Sequence, residues 1–142
     1  MSYSLNKREM KVLLTKTNNS GNLSANDIVN INTSSIYNNT GCTINSNNIV
    51  LQTGYYLITC CIGINNSNLI ANYADWNLLI DDVEQSTKGS STQDNKVGID
   101  GSTAAVFVSS STKTLKVKIT SLSGTCSIDD GFSYIMIKKV DL

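Results

Sequence analysis

Catalysis by a nucleophile and a base is the first chemistry to consider, and the residue types it needs are incomplete in this chain. The 142 residues include no histidine, so neither a Ser–His–Asp nor a Cys–His arrangement can form within one chain. No glycine-rich segment has the spacing of a Walker or dinucleotide-binding loop. The sequence therefore predicts a protein that is not an enzyme, with no catalytic residues and no cofactor.

Two acidic pairs offer oxygen ligands for a hard cation. Asp81–Asp82 and Asp129–Asp130 lie at the ends of apolar runs, and loop carboxylates with backbone carbonyls are the ligands that Ca²⁺ prefers. The favoured alternative is that they are ordinary turn aspartates, because Asp is common in turns. Glycosidase chemistry is disfavoured because no aromatic cleft can be inferred beside either pair. We predict no metal site.

Four cysteines complete the reactive side chains: Cys42, Cys60, Cys61 and Cys126. None belongs to a Cys-x-x-Cys pair, and a chain without histidine gives little support for a zinc site. Cys60 and Cys61 are consecutive in an apolar run, so on a strand they would point to opposite faces. We predict reduced, buried or half-buried thiols with no intrachain disulfide.

Exposed aromatic side chains would distinguish a binding module from a structural one. Trp76 is the single tryptophan, and its two interpretations are core packing, which we favour, and a platform on which a sugar ring stacks. A binding module should cluster Tyr37, Tyr73 or Trp76 at the apex of a loop.

Composition sets the class of fold. Hydrophobic residues make up 40% of the chain and charged residues only 15%, so Asn, Ser and Thr supply most of the polarity and favour strands and turns over helices.

The length fits one domain, and we divide it into an N-terminal arm or first strand with a polar connector (1–26) and a jelly-roll domain (27–142). Zero net charge argues against nucleic acid, and no apolar run is long enough for membrane insertion.

Short apolar runs bounded by turn residues predict the strands. The polar stretch Ser86–Lys96 is predicted to be an exposed loop. The runs are Ile28–Ile31, Asn48–Leu51, Tyr55–Ile64, Trp76–Asp81, Thr103–Val108, Thr114–Thr120 and Phe132–Val140.

The faces of these strands differ. Thr114–Thr120 alternates apolar residues with lysine and threonine, which is typical of a strand with one buried face. Tyr55–Ile64, Ala104–Val108 and Phe132–Ile137 are apolar on both faces. Either a loop or the N-terminal segment covers the second face, or other copies of the chain bury it, which we favour.

The order of the strands resembles the tumour necrosis factor and complement globular-head superfamily over roughly Asp27–Val140. The resemblance lies in the strand that begins Gly54-Tyr55-Tyr56 after the apolar run Ile49–Leu51, and in the ending GFSYIMIKKVDL. It implies an all-β, two-sheet antiparallel jelly-roll sandwich (TNF-like) that forms a homotrimer. The two-faced strands would share the inner sheet, and Thr114–Thr120 would lie in the outer sheet. The residues predicted for the trimer interface are Tyr55, Leu57, Cys61, Val106, Ile135 and Ile137.

Without a collagen-like stalk, membrane anchor or export signal, the domain looks like a bacteriophage knob. The implied function is a non-enzymatic virion protein that decorates a phage capsid or forms a head-fibre or tail-fibre tip, with itself and capsid or fibre proteins as partners. It would be assembled in the host cytoplasm and lie on the virion surface. The alternative is a receptor- or carbohydrate-binding module of the same fold, which would bind a host surface receptor or glycan.

The N-terminal segment combines basic and apolar residues and is the predicted site of attachment to a particle. In the alternative interpretation, Met10–Leu14 is simply the first strand of the inner sheet. The residues predicted for attachment are Lys7, Arg8, Lys11, Val12, Leu13 and Leu14.

Overall fold

The computed structural model describes residues 8–15, 22–65, 72–93 and 98–140, and every regular element in them is a strand. None of these residues belongs to a helix that is long and apolar enough to cross a membrane. The strands are β1 (Glu9–Thr15), β2 (Asn30–Ile31), β3 (Tyr37–Asn38), β4 (Thr43–Asn45), β5 (Asn48–Leu51), β6 (Gly54–Asn65), β7 (Asn72–Ile80), β8 (Val83–Gln93), β9 (Gly98–Val108), β10 (Lys113–Ser123), β11 (Ser127–Ile128) and β12 (Tyr134–Val140).

The strands form two antiparallel sheets. The inner sheet has the order β9-β6-β12-β1, with β11 pairing the end of β6 and with β2 and β3 pairing β1. The outer sheet has the order β4-β5-β10-β7-β8. The predicted two-sheet jelly roll is confirmed, including the placement of β6, β9 and β12 in one sheet and of β10 in the other.

The core lies between the sheets, where each strand contributes alternate side chains. In β10, Leu115, Val117 and Ile119 are fully buried, and the lysines between them face outward. In β6, Tyr56 and Ile58 begin an inward row that continues along the strand. The one-faced pattern predicted for β10 is confirmed.

Trp76 is the largest fully buried side chain, so its interpretation as a core residue is confirmed. It lies opposite Gly89 of the neighbouring strand. A Cβ atom at position 89 would lie 2.1 Å from Cε2 of the Trp76 indole. Gly89 therefore permits the ring to lie against the backbone of β8.

The structure decides between the two interpretations of Met10–Leu14 and corrects one predicted loop. Met10–Leu14 belongs to β1, which pairs with β12 through the register Val12↔Ile135, so the first-strand interpretation of this stretch is correct. The prediction of an exposed loop at Ser86–Lys96 is wrong for residues 86–93, because β8 pairs with β7 there and forms the edge of the outer sheet. Residues 94–96 lie outside the described part of the chain. Polar edge strands lack the apolar alternation by which strands are recognised.

Candidate functional site

The outward face of the inner sheet carries a group of exposed apolar residues, here called the apolar patch: Tyr55 and Leu57 of β6 with Ala105 and Phe107 of β9. Tyr55 pairs with Phe107 and Leu57 with Ala105 across the two strands. The rings of Tyr55 and Phe107 stack with centroids 4.2 Å apart and planes 20° from parallel. Tyr55, Leu57 and Phe107 are 42%, 43% and 49% exposed, which is unusual for contiguous large apolar side chains on a monomer's surface.

A second exposed pair, here called the edge pair, lies at the opposite edge of the same sheet. Ile36 and Tyr37 are 57% and 41% exposed. Tyr37 pairs with Lys11 of β1, and the Ile36 amide donates to the Lys11 carbonyl at 2.8 Å. Because four strand spacings of about 4.8 Å separate β9 from β3, the two apolar surfaces are roughly 19 Å apart.

The strip between these surfaces is formed by β12 and β1 and is more polar. Lys11 places its ammonium 4.6 Å from the centroid of the Tyr134 ring, a distance at which a cation and an aromatic face attract. The Cys61 thiol donates to the Tyr134 hydroxyl oxygen at 3.3 Å. Met136 and the exposed Lys138 continue the row. These contacts hold the strip's polar groups in place within the chain.

The residues predicted for the trimer interface divide into two sets. Tyr55, Leu57 and Cys61 face outward on β6, as that interface would require. Val106, Ile135 and Ile137 are 7%, 0% and 0% exposed, so their predicted place on the outward face is wrong.

The error on β12 has a physical cause. Both faces of this strand are apolar, so the alternation of residue types cannot show which face is buried. The register of β12 with β6 decides which face points to the core. Ile135 pairs with Cys60 and Ile137 with Ile58, which both face the core. The outward positions of β12 belong instead to Tyr134 and Met136.

Phe107 and Ile36 were not among the predicted site residues, and Tyr37 was named only for the alternative of a binding module. The sequence did indicate the outward position of Phe107, because Phe107 lies between Val106 and Val108 and must point to the opposite face of the strand. Ile36 had no such signal, because it is an isolated apolar residue in a polar segment.

The residues predicted for particle attachment also divide into two sets, because successive side chains of β1 point to opposite faces of the sheet. Val12 and Leu14 are fully buried, so their predicted role in attachment is wrong: they pack in the core. Lys11 and Leu13 occupy the opposite, half-buried face, and Arg8 is exposed just before the strand. Lys7 lies outside the described residues.

The strands bring further basic residues to the Arg8 end of the sheet. The Lys139 amide donates to the Arg8 carbonyl at 2.8 Å, and Lys138 pairs with Glu9. Residues about 130 positions apart therefore meet at the end of the sheet where β1 begins and β12 ends, here called the basic end: Arg8, Lys138 and Lys139, with Glu9 as the acidic member.

All four cysteines are free thiols. Cys60 and Cys61 point to opposite faces of β6, as predicted. Cys60 is fully buried, and burial together with the charge of Cys61 raises its pKa well above the ordinary value. Cys42 and Cys126 are also buried. Cys61 is the one cysteine whose side chain is partly exposed.

The acidic pairs have structural partners. Asp81 and Asp82 form the two-residue turn between β7 and β8, with φ of 49° and 64°, values typical of a type I′ hairpin. Oδ1 of Asp81 accepts from the Thr114 amide at 2.8 Å, and Oδ1 of Asp82 accepts from Lys116 at the same distance. Asp129 similarly accepts from the Gly131 amide at 2.9 Å. Within the described residues, no three His, Cys, Asp or Glu side chains are grouped to hold a metal ion.

Comparison with solved structures identifies the fold. The chain is similar to murine APRIL, with a TM-score of 0.58 and 11% identity over 94% of this chain and 100% of that one. It is also similar to Eiger TNF from S. frugiperda, with a TM-score of 0.56 and 16% identity over 94% of both chains. No protein-family model and no curated protein sequence matches it. The fold is therefore a TNF-like jelly roll, as the resemblance in the sequence implied.

Proposed function

We propose that this protein is a non-enzymatic assembly and binding module that functions as a homotrimer. The observation that carries the proposal is the apolar patch, a stacked and half-exposed cluster on a sheet whose other face already supplies the core. A TNF-like jelly roll is compatible with a non-enzymatic binding or structural role.

A cyclic trimer needs two different complementary surfaces on each protomer, because its contacts run head to tail. The apolar patch and the edge pair fit this requirement, since they lie at opposite edges of one sheet. In the proposed trimer, Ile36 and Tyr37 of one protomer pack on Tyr55, Leu57 and Phe107 of the next. Full burial of a large apolar side chain contributes about 1.5–3 kcal/mol, so burial of three half-exposed ones contributes roughly 3 kcal/mol per contact.

The substitution Leu57→Asp tests the contact without disturbing the core. Leu57 pairs with Lys138 on the outward face, so the new carboxylate gains a cationic neighbour in the monomer. In the trimer the same carboxylate would be buried against apolar side chains, at a cost of several kcal/mol. We expect a folded monomer by light scattering and circular dichroism.

Phe132→Asp is the matched control, because Phe132 is 50% exposed but lies in the turn before β12, away from both surfaces. We expect this variant to keep the wild-type mass. The proposed contact is refuted if Leu57→Asp retains the wild-type mass, or if both variants lose it equally.

The more specific role proposed is a knob on a phage capsid or fibre. The basic end supports an attachment surface, because the beginning of β1 and the end of β12 bring three cationic residues to the same end of the sandwich. Charged residues of this kind steer approach to an acidic partner. The test is Arg8→Glu, at an exposed position before β1: the trimer should form while co-sedimentation with phage particles that lack the protein is lost. Unchanged co-sedimentation would refute the attachment surface.

The second candidate is a receptor- or carbohydrate-binding module. It is favoured by a groove on the outer sheet that is lined by charged and hydroxyl side chains of β7, β8 and β10, on the side of the sandwich away from the proposed trimer contact.

A further inference from the structure

The outward face of the outer sheet has two unlike halves. Near the β7–β8 turn, two ion pairs occupy the face: Lys116 with Asp82 at 2.8 Å and Lys118 with Glu84 at 3.2 Å. Charges matched in this way have little capacity left for a ligand. The other half of the face has no such pairing among the described residues and contains a groove.

The groove has a volume of about 550 Å³ and is formed by β7, β8 and β10. A β-bulge in β10 shapes it: Ile119 pairs with Trp76, whereas the next pair along the ladder is Ser121 with Asp75. The extra residue, Thr120, breaks the alternation, so that Thr120 and Ser121 both line the groove. The lining residues are Asp75, Lys88, Gly89, Ser90, Thr120 and Ser121.

Asp75 is the fixed acceptor of this groove. The Ser121 hydroxyl donates to Oδ2 of Asp75 at 2.8 Å and holds the carboxylate in one orientation. Lys88 is exposed on the neighbouring strand and forms no ion pair with the residues that the structure describes. The groove thus combines one oriented carboxylate, one ammonium donor and hydroxyl groups, with no net charge.

An aromatic side chain lies on β7 next to the groove, outside the residues that line it. Tyr73 is two residues before Asp75 on β7, so both side chains point outward about 6.7 Å apart along the strand. Tyr73 is 39% exposed. Its ring presents a flat apolar surface and a polar hydroxyl beside the charged groups.

We propose that this groove binds a neutral hexopyranose unit of a glycan. Adjacent sugar hydroxyls can donate to the Asp75 carboxylate, Lys88 can donate to a sugar oxygen, and the C–H face of the ring can stack on Tyr73. A phosphate or sulfate is disfavoured, because the Asp75 charge faces the ligand. An apolar peptide is disfavoured, because the groove would leave its polar groups without partners.

The site does not depend on the proposed trimer contact, since it lies on the other sheet. A trimer would present three such grooves, and a multivalent glycan surface would be bound more tightly by three grooves than by one.

The test is a titration of the ¹⁵N-labelled protein, followed by NMR, with the methyl glycosides of galactose, glucose, mannose and N-acetylglucosamine as separate probes. We expect at least one probe to give saturable shifts at the amides of Asp75, Gly89 and Ser121. Asp75→Asn and Tyr73→Ala should each weaken that binding about tenfold or more. Dispersed spectra of both variants show that they remain folded.

The matched controls are Asp82→Asn, a carboxylate on the same face outside the groove, and Phe132→Ala, an exposed aromatic residue elsewhere. Both should bind the probe as wild type does. The Leu57→Asp variant should also retain binding, which separates this proposal from the trimer contact. The proposal is overturned if no probe gives saturable shifts, if the shifts map elsewhere, or if Asp75→Asn and Tyr73→Ala bind normally.

Discussion

The close approach of Gly89 to Trp76 leads to a quantitative prediction about stability. In Gly89→Ala, the new methyl carbon would lie 2.1 Å from Cε2, 2.2 Å from Cζ2 and 2.6 Å from Nε1 of the indole. Carbon atoms pack at about 3.5–4.0 Å, so the ring or the strand must move by more than 1 Å. The ring is fully buried, so it cannot swing into solvent.

The expected cost is that of overpacking a core, about 1–3 kcal/mol. This exceeds the small gain that alanine brings over glycine in a strand, so the sign of the effect is destabilising. For a domain of this size, such a loss lowers the melting temperature by about 3–10 °C. The measurement is thermal and urea unfolding at one fixed protein concentration, because association shifts apparent stability.

Two further variants isolate the contact. Gly131→Ala is the control, because a Cβ atom there would lie 3.3 Å from Oδ1 of Asp129, in an exposed turn. The stability of this variant should change by less than about 1 kcal/mol. In a Trp76→Leu background, Gly89→Ala should cost little, giving a coupling of about 1–2 kcal/mol in a double-mutant cycle. A neutral Gly89→Ala, or one whose cost is unchanged in that background, would refute the packing described for β7 and β8.

Three other predictions follow from burial. Maleimide should modify Cys61 in the native protein and leave Cys60 unmodified until the protein unfolds, because burial raises the pKa of Cys60 and closes access to it. The measurement is mass spectrometry of the labelled peptides, and equal labelling of the two cysteines would contradict this prediction. Burial, and then a hydrogen bond with Cys42, raises the pKa of Tyr56. The contribution of the neutral Tyr56 hydroxyl to stability is therefore complete below about pH 10, the pKa of tyrosine in the unfolded chain. That contribution is lost as the pH rises further. Urea unfolding should accordingly show a stability advantage of wild type over Tyr56→Phe that shrinks above that pH, and a constant difference would contradict the assignment. Ile135→Asp should abolish folding by circular dichroism, unlike Leu57→Asp, since only Ile135 lies in the core; a folded Ile135→Asp monomer would reverse the assigned faces of β12.

Much of the fold was predictable because alternation reports burial wherever one face of a strand is polar. Leu115, Val117 and Ile119 were assigned correctly for that reason. Alternation could not assign the faces of β12, because Tyr134 and Met136 on one face are apolar, as are Ile135 and Ile137 on the other. There the register with β6 decides the faces, and register depends on pairing between distant residues.

The candidate sites were less predictable, because each depends on residues that only the fold brings together. Tyr55 could be assigned to the outward face from its own strand, but its stacking partner Phe107 is 52 positions away in the chain. The bulge at Thr120 leaves no pattern in the sequence, yet it places Ser121 beside Asp75. Trp76 was the aromatic residue considered for a sugar platform; the structure buries it and exposes Tyr73 instead.

The central claim is that the protein assembles as a trimer through the inner sheet, and the mass of the wild-type protein tests it most directly. Sedimentation equilibrium of the 142-residue chain at micromolar concentration should give three times the chain mass of 15.3 kDa. A mass of one or two chains under these conditions would contradict the account.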